Sequence, residues 1–365
     1  MGHRRTRRAV VVALSALAGG ALAHAAAGGE SPAPAAASDL REGAPAGAEG
    51  KHRPKTATPE PITPPETVRD AHGASAPSPA PGPSPRPYDP MGTSYADGRV
   101  MTGAAEQRLI LFTFDDGPDR RYTPRLLDIL DEHGIRAVFF MTAGQIRPDS
   151  PWGRRQAELA REVARRGHLI GNHTVDHLQL PLLDNDSVLS QLTDSERIFE
   201  RVFGARPWLM RPPGGARSER VDALVEGRGY TQMLWNLGTG DFQVRTPQEV
   251  LDTWKAVAER RERENGERGG IVLLHDIHEW SVEAVPLLVR EIRRRNCRLL
   301  AEGEELYDIV DDPAPFFTRT GEGSSPGAAA PPARFAPEEH ARRQARLRTE
   351  ARGYCEDGSL VASNR

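Results

Sequence analysis

Between residues 108 and 300, short apolar runs alternate with amphipathic stretches, and that alternation leaves the chain few architectures to choose from. The first run, Leu109-Ile110-Leu111-Phe112-Thr113-Phe114, has the density of leucine, aromatic and β-branched side chains that a buried strand needs. Thr123-Pro124 then offers an N-cap with proline at the first helical position. Leu126, Leu127 and Leu130 share a face, and Gly134 closes the helix. The same reading predicts strands at 137–141, 168–171, 208–210, 230–237, 271–274 and 297–300. Helices are predicted over 154–166, 186–203, 217–228, 246–264 and 282–294, the fourth of these opened by a Thr246–Glu249 capping box.

Repeated β-α units build a parallel sheet, open or closed into a barrel, and the polar residues decide between them. Asp115-Asp116, His173, Arg211, Asp241 and His275 each follow a different predicted strand. An open sheet would spread these five positions along one edge, whereas a barrel gathers them at one mouth. The expected fold is therefore α/β, a distorted (β/α) barrel of about seven parallel strands, flanked by disordered N- and C-terminal segments.

Four segments are expected. Residues 1–27 carry a basic cluster (Arg4, Arg5, Arg7, Arg8), an apolar run over 9–22 and small residues around Ala23, the order of a secretory signal peptide. That run falls short of the ~20 apolar residues that span a bilayer, so no integral span is expected after cleavage. Arg7-Arg8 permits a twin-arginine route as well as the general one. Residues 28–103 are rich in Pro, Ala, Gly and Ser, cannot bury enough surface to offset their ordering entropy, and read as a disordered linker. The α/β domain occupies 104–312, and 313–365 is a low-complexity and charged tail. A net charge of −3 gives no field for nucleic acid, and the basic clusters at 260–268 and 293–295 read as solvated helix faces. Cys297 and Cys355 match no zinc or redox spacing; after export they either pair or stay free. No pattern specifies an oligomeric state.

Two neighbouring carboxylates at the end of a buried strand cannot both be desolvated cheaply, so Asp115-Asp116 calls for a compensating cation. His173 and His177 stand four residues apart, and on a helical turn their imidazoles would share a face and reach one zinc ion. Two histidines and one carboxylate leave positions open for water and substrate. Arg211 heads a Pro-Pro-Gly-Gly turn and can pair with a carboxylate at the mouth. A histidine at His275 suits acid–base work because its proton is exchanged near neutrality, and Asp241 is the carboxylate placed to orient it. His278 is read as a bystander; His24, His133 and His168 have no such company.

Thr113-Phe114-Asp115-Asp116-Gly117-Pro118, His173-x₃-His177, Arg211-x-Pro213, Trp235 through Asp241-Phe242 and Leu273-x-His275-Asp276 together resemble the five ordered motifs of polysaccharide deacetylases, the NodB-homology enzymes of carbohydrate esterase family 4. The resemblance covers residues 108–310. It implies Asp115 as general base and His275 as general acid, with Arg211 orienting the first and Asp241 tuning the second. It also implies a divalent metal, zinc with cobalt as the alternative, on Asp116, His173 and His177. Leu273 and Trp235 would line an acetyl pocket, and the Gly214 N–H would complete an oxyanion hole. The sequence departs from the family pattern at Gly214, where an aromatic residue is usual, at Gly238, where Asp is usual, and at Phe242, where Trp is usual.

The leading expectation is an exported, metal-dependent enzyme that removes N-acetyl groups from an N-acetylglucosamine-containing polysaccharide, cell-wall peptidoglycan or exopolysaccharide. The same residues also fit an O-acetyl esterase or a small-amide hydrolase. A third reading is a catalytically silent glycan-binding protein.

Overall fold

A computed structural model describes residues 89–93, 100–316 and 333–356. The expected leader, most of the linker, and tail residues 317–332 and 357–365 lie outside the described residues. In chain order the elements are β1 (Val100–Met101), β2 (Leu109–Asp115), α1 (Thr123–His133), β3 (Val138–Met141), α2 (Pro151–Arg165), β4 (Leu169–Asn172), α3 (Asn185–Phe203) and β5 (Leu209–Met210). There follow α4 (Glu219–Gly227), β6 (Thr231–Met233), β7 (Leu237–Gly238), α5 (Pro247–Asn265), β8 (Gly270–His275), α6 (Glu279–Glu302), β9 (Asp308–Ile309) and α7 (Pro337–Glu356). Among the described residues no helix is long and apolar enough to cross a membrane.

All strand pairings are parallel, in the order β1-β6-β5-β4-β3-β2-β8-β7, with β9 also on β2. β6 and β7 are three residues apart in the chain yet six strand spacings apart in that order. In a flat sheet the spacing would be about 29 Å. The chain from Met233 to Leu237 reaches at most about 14 Å. The sheet must therefore curl until its edges approach, which makes it the distorted barrel expected from the motifs.

The period of two along each strand separates the barrel's inside from its outside. Leu109 and Leu111 of β2 pack inward with Val138, Phe140, Leu169, Leu209, Met233 and Ile271. Ile110, Phe112 and Phe114 face outward onto Leu126, Leu127 and Leu130 of α1 and Val285 and Leu288 of α6. Thr113 and Asp115 continue the inward row, so the strand that builds the core also lifts a carboxylate to its rim.

Three expectations need correction. The strand predicted over 230–237 is broken into β6 and β7. Between them Asn236 replaces backbone pairing with its side-chain amide: Oδ1 accepts from Ile271 N–H at 3.0 Å, and Nδ2 donates to Gly269 O at 3.1 Å. The strand predicted over 297–300 belongs to α6, whose buried stripe of Val282, Val285, Leu288, Val289, Ile292 and Leu299 keeps helical spacing to the Gly303 cap. A short apolar run cannot by itself tell helix from strand. The final strand is instead β9, and β1 adds a further strand from within the expected linker.

Helix α7 forms within the expected tail and docks on the domain. Arg343 Nε lies 2.6 Å from Asp308 Oδ2, and Gln344 exchanges two hydrogen bonds with the Leu306 backbone. A disulfide joins Cys297 on α6 to Cys355 on α7, with their Cα atoms 5.7 Å apart.

Candidate active site

The mouth of the barrel is built on the inward row of β2. Asp115 is 2 % exposed, and its Oδ1 accepts from Arg211 Nη1 at 2.7 Å. Arg211, entirely enclosed, enters from the turn after β5 and stacks over Phe140, its guanidinium carbon 4.2 Å from the ring centre. Its Nη1 also donates to Thr113 Oγ1, its Nε to Met233 O at 2.8 Å and its Nη2 to Leu234 O at 3.1 Å. Burial raises the Asp115 carboxyl above the ordinary carboxylate value, and the Arg211 charge works against that rise.

Asp116, one residue past the strand, has a left-handed backbone with φ of 74°. Asp116, His173 and His177 each offer one ligand atom, all within 4.8 Å of one another. Asp116 Oδ1 lies 3.5 Å from His173 Nε2 and 3.2 Å from His177 Nε2. His173 Nδ1 is 2.7 Å from Arg211 O, a carbonyl that can only accept, so the ring proton sits on Nδ1. Burial holds His173 down to about 3 against the pull of Asp116, and the ring is neutral. Its bare Nε2 therefore faces carboxylate oxygens, including Asp115 Oδ2 at 3.7 Å. Asp116 Oδ1 is buried and receives no hydrogen bond. Lone pairs converging from two or more directions without a proton between them are the donor set of a divalent cation, and these residues fit one.

The two histidines do not share a helical turn, as the spacing had suggested. Residues 173–179 are irregular, with positive φ at Thr174 and His177, yet the rings stand 4.9 Å apart. Side chains hold this loop in place. Asn172 Oδ1 accepts from Thr174 N–H, and Gln191 Oε1 accepts from the N–H groups of Val175 and Asp176.

His275 closes the other side. Its Nδ1 lies 2.9 Å from Asp241 Oδ1, its backbone N–H donates to Asp241 Oδ2 at 2.7 Å, and its Nε2 stands 4.0 Å from Asp116 Oδ2. Burial opposes a charge on this imidazole. The hydrogen bond and charge of Asp241, with Asp115 and Asp116 behind it, overcome that and lift it to about 9. Asp241, wholly buried, is held in turn by the Ser281 hydroxyl, while its own backbone carbonyl accepts from Trp280 Nε1 at 2.6 Å. Neither Ser281 nor Trp280 was legible as a site residue, because each acts only through the fold that carries the first turn of α6 past Asp241.

The seven residues expected at the metal and catalytic positions are thus joined in one chain of contacts. The three expected to line the pocket flank it. Trp235 packs against Gly215 and lies 5.4 Å from the Arg211 guanidinium carbon. Leu273 is buried in the same inward row of β8 as His275. Gly214 sits exposed on the turn after Pro213 with φ of 62°, and a Cβ there would have only Gln179 Nε2, at 4.0 Å, beside it. His278, set aside from the sequence, stacks on Trp280 with ring centres 4.7 Å apart.

Residues 102–233 match the family model described as polysaccharide deacetylase. A peptidoglycan-N-acetylglucosamine deacetylase of Bacillus cereus is 30% identical over 203 residues, covering 55% of this chain and 89% of the relative. A chitin deacetylase of Colletotrichum lindemuthianum is 29% identical over 220 residues, covering 59% of this chain and 86% of the relative. A second chitin deacetylase, from Arthroderma benhamiae, is 30% identical over 222 residues, with 60% and 57% covered.

Proposed function

The chain belongs to the polysaccharide deacetylase family, and on that premise we propose that it is an exported, metal-dependent hydrolase of N-acetyl groups on an N-acetylglucosamine-containing polysaccharide. Cell-wall peptidoglycan or an exopolysaccharide is the substrate class, and acetate is released. The observation that carries this reading is the meeting of Asp116, His173 and His177 within 4.8 Å, faced by Asp115 and His275.

Asp116, His173 and His177 would hold the cation, and a set of two imidazoles and one carboxylate suits zinc, with cobalt as its substitute. When bound, such a cation supplies Lewis acidity at the acetamide carbonyl and the attacking water. Asp115 takes the proton of that water; its raised affinity for protons makes it a stronger base than a solvated aspartate, and Arg211 keeps it aimed. His275, held protonated by Asp241, gives a proton to the departing sugar nitrogen. The Gly214 N–H stabilises the developing oxyanion, while Trp235 and Leu273 bound the space for the acetyl methyl. Each acid–base step contributes on the order of 10²–10⁴-fold. The polymer keeps a free amine.

An acetate-release panel with added zinc or cobalt tests the reading, using chitooligosaccharides, peptidoglycan, acetylated xylan and small amides. Release from the N-acetylglucosamine polymers is expected. Release from acetylated xylan alone would replace the proposal with an O-acetyl esterase. Glycan binding with no acetate at any metal concentration would overturn it.

A further inference from the structure

The turn that follows Asp116 is gripped by three buried side chains that touch none of the reacting groups. Asp276, just beyond β8, is wholly buried and accepts from the Thr123 hydroxyl at the start of α1. Thr123 Oγ1 in turn accepts from Asp119 N–H at 2.8 Å, and Thr123 N–H donates to Asp119 O at 2.8 Å. From α2, the buried Gln156 donates its Nε2 to Pro118 O at 2.6 Å. The Asp276 carboxylate lies directly against Gly117: a Cβ there would sit 2.1 Å from Oδ1 and 2.3 Å from Oδ2. The φ of Gly117 is not left-handed, so crowding by Asp276, not backbone conformation, keeps that position without a side chain.

We propose that Asp276, Thr123 and Gln156 form a clamp on the Gly117–Pro118–Asp119 turn that fixes Asp116 in its left-handed backbone, and that they are positioning residues for the cation site. The inference rests on the reading of Asp116, His173 and His177 as that site. A left-handed aspartate is uncommon and persists only where its surroundings over-determine it. Here the residues after Asp116 are tied to three separate elements, and on its other side Asp116 N–H donates to Phe140 O at 3.1 Å. Asp276 also keeps one buried oxygen, Oδ1, without a donor. That arrangement costs folding free energy, and packing alone would favour an apolar residue there. A role in setting the Asp116 carboxylate accounts for it. Supporting residues of this kind change metal affinity by about 10–100-fold when altered.

The test is zinc affinity of the intact chain, read by competition with a chromophoric chelator, alongside thermal melting and near-ultraviolet circular dichroism. Thr123→Val, which removes the hydroxyl at nearly constant volume, should fold and bind zinc at least about 10-fold more weakly. Thr123→Ser should return affinity to within about twofold of the wild type. Gln156→Met should weaken binding in the same direction, and both weakened variants should regain acetate release at saturating zinc. Folded Thr123→Val and Gln156→Met proteins that bind zinc like the wild type would overturn the clamp, as would a Thr123→Ser protein as weak as Thr123→Val. A wild-type chain that binds no zinc would instead overturn the cation site beneath it.

Discussion

Arg211 Nη1 lies 2.7 Å from Asp115 Oδ1, with both side chains closed off from solvent. Neither charge could be left there alone. Arg211→Met should therefore strand a buried carboxylate and cost about 3–5 kcal/mol of stability, read by denaturant unfolding. Acetate release should fall with it, because the carboxylate would then either take up a proton or turn away.

Asp115→Asn tests the proposed base apart from the cation site. Acetate release should drop by about 10²–10⁴-fold while bound zinc stays stoichiometric, since Asp115 is not among the three ligand-bearing residues. Normal turnover by this variant would remove Asp115 from the role of base.

The pH profile should have two limbs. The proposed base, Asp115, would work unprotonated, and burial raises it from 3.8, so activity should rise with pH through a value above that of a free aspartate. The proposed acid, His275, would work protonated and is lifted to about 9, so activity should fall as pH rises through about 9. Because its folded value exceeds the unfolded 6.5, the His275 charge also stabilises the fold fully below pH 6.5, and this contribution is lost as pH rises through about 9. Asp241→Asn removes the main partner raising it and should move the alkaline limb to lower pH. A limb that stays in place would detach His275 from that limb.

His177→Ala should lose zinc and acetate release together. Chelator treatment of the wild type should abolish activity, and added zinc or cobalt should restore it. Full activity in metal-stripped buffer would contradict the cation site.

Cys297 and Cys355 are 58 residues apart in sequence, and their bond ties α7 to α6. Reduction, or Cys355→Ser, should lower stability by about 2–4 kcal/mol and loosen hydrogen-exchange protection in α7. Acetate release should be unchanged at temperatures where the domain remains folded.

Asp115, Asp116, His173, Arg211, Asp241 and His275 were legible because each follows an apolar run, and the topology of parallel strands carries such positions to one end. The sequence pointed less well where a local pattern competes with a distant partner. The run at 297–300 is short enough to read as a strand, and only its register with Val289 and Ile292 on α6 makes it helical. His173-x₃-His177 carries the spacing of a helix, but Asn172 and Gln191 hold it as a loop that meets the same geometric need. The contacts of Ser281, Trp280 and Gln156, and the bond from Thr123 to Asp276, were invisible for a different reason. Their partners lie 38 to 153 residues away along the chain, so no spacing announces them.

The break between β6 and β7 bears on more than the outline of the sheet. Met233 is the last residue of β6 and Leu234 belongs to neither strand, and their carbonyls are the ones that receive Nε and Nη2 of Arg211. A seamless cylinder would have turned those oxygens toward a neighbouring strand and left the guanidinium without a berth. The seam is thus a socket, and the charge seated in it is what lets an acid stay dry and ready.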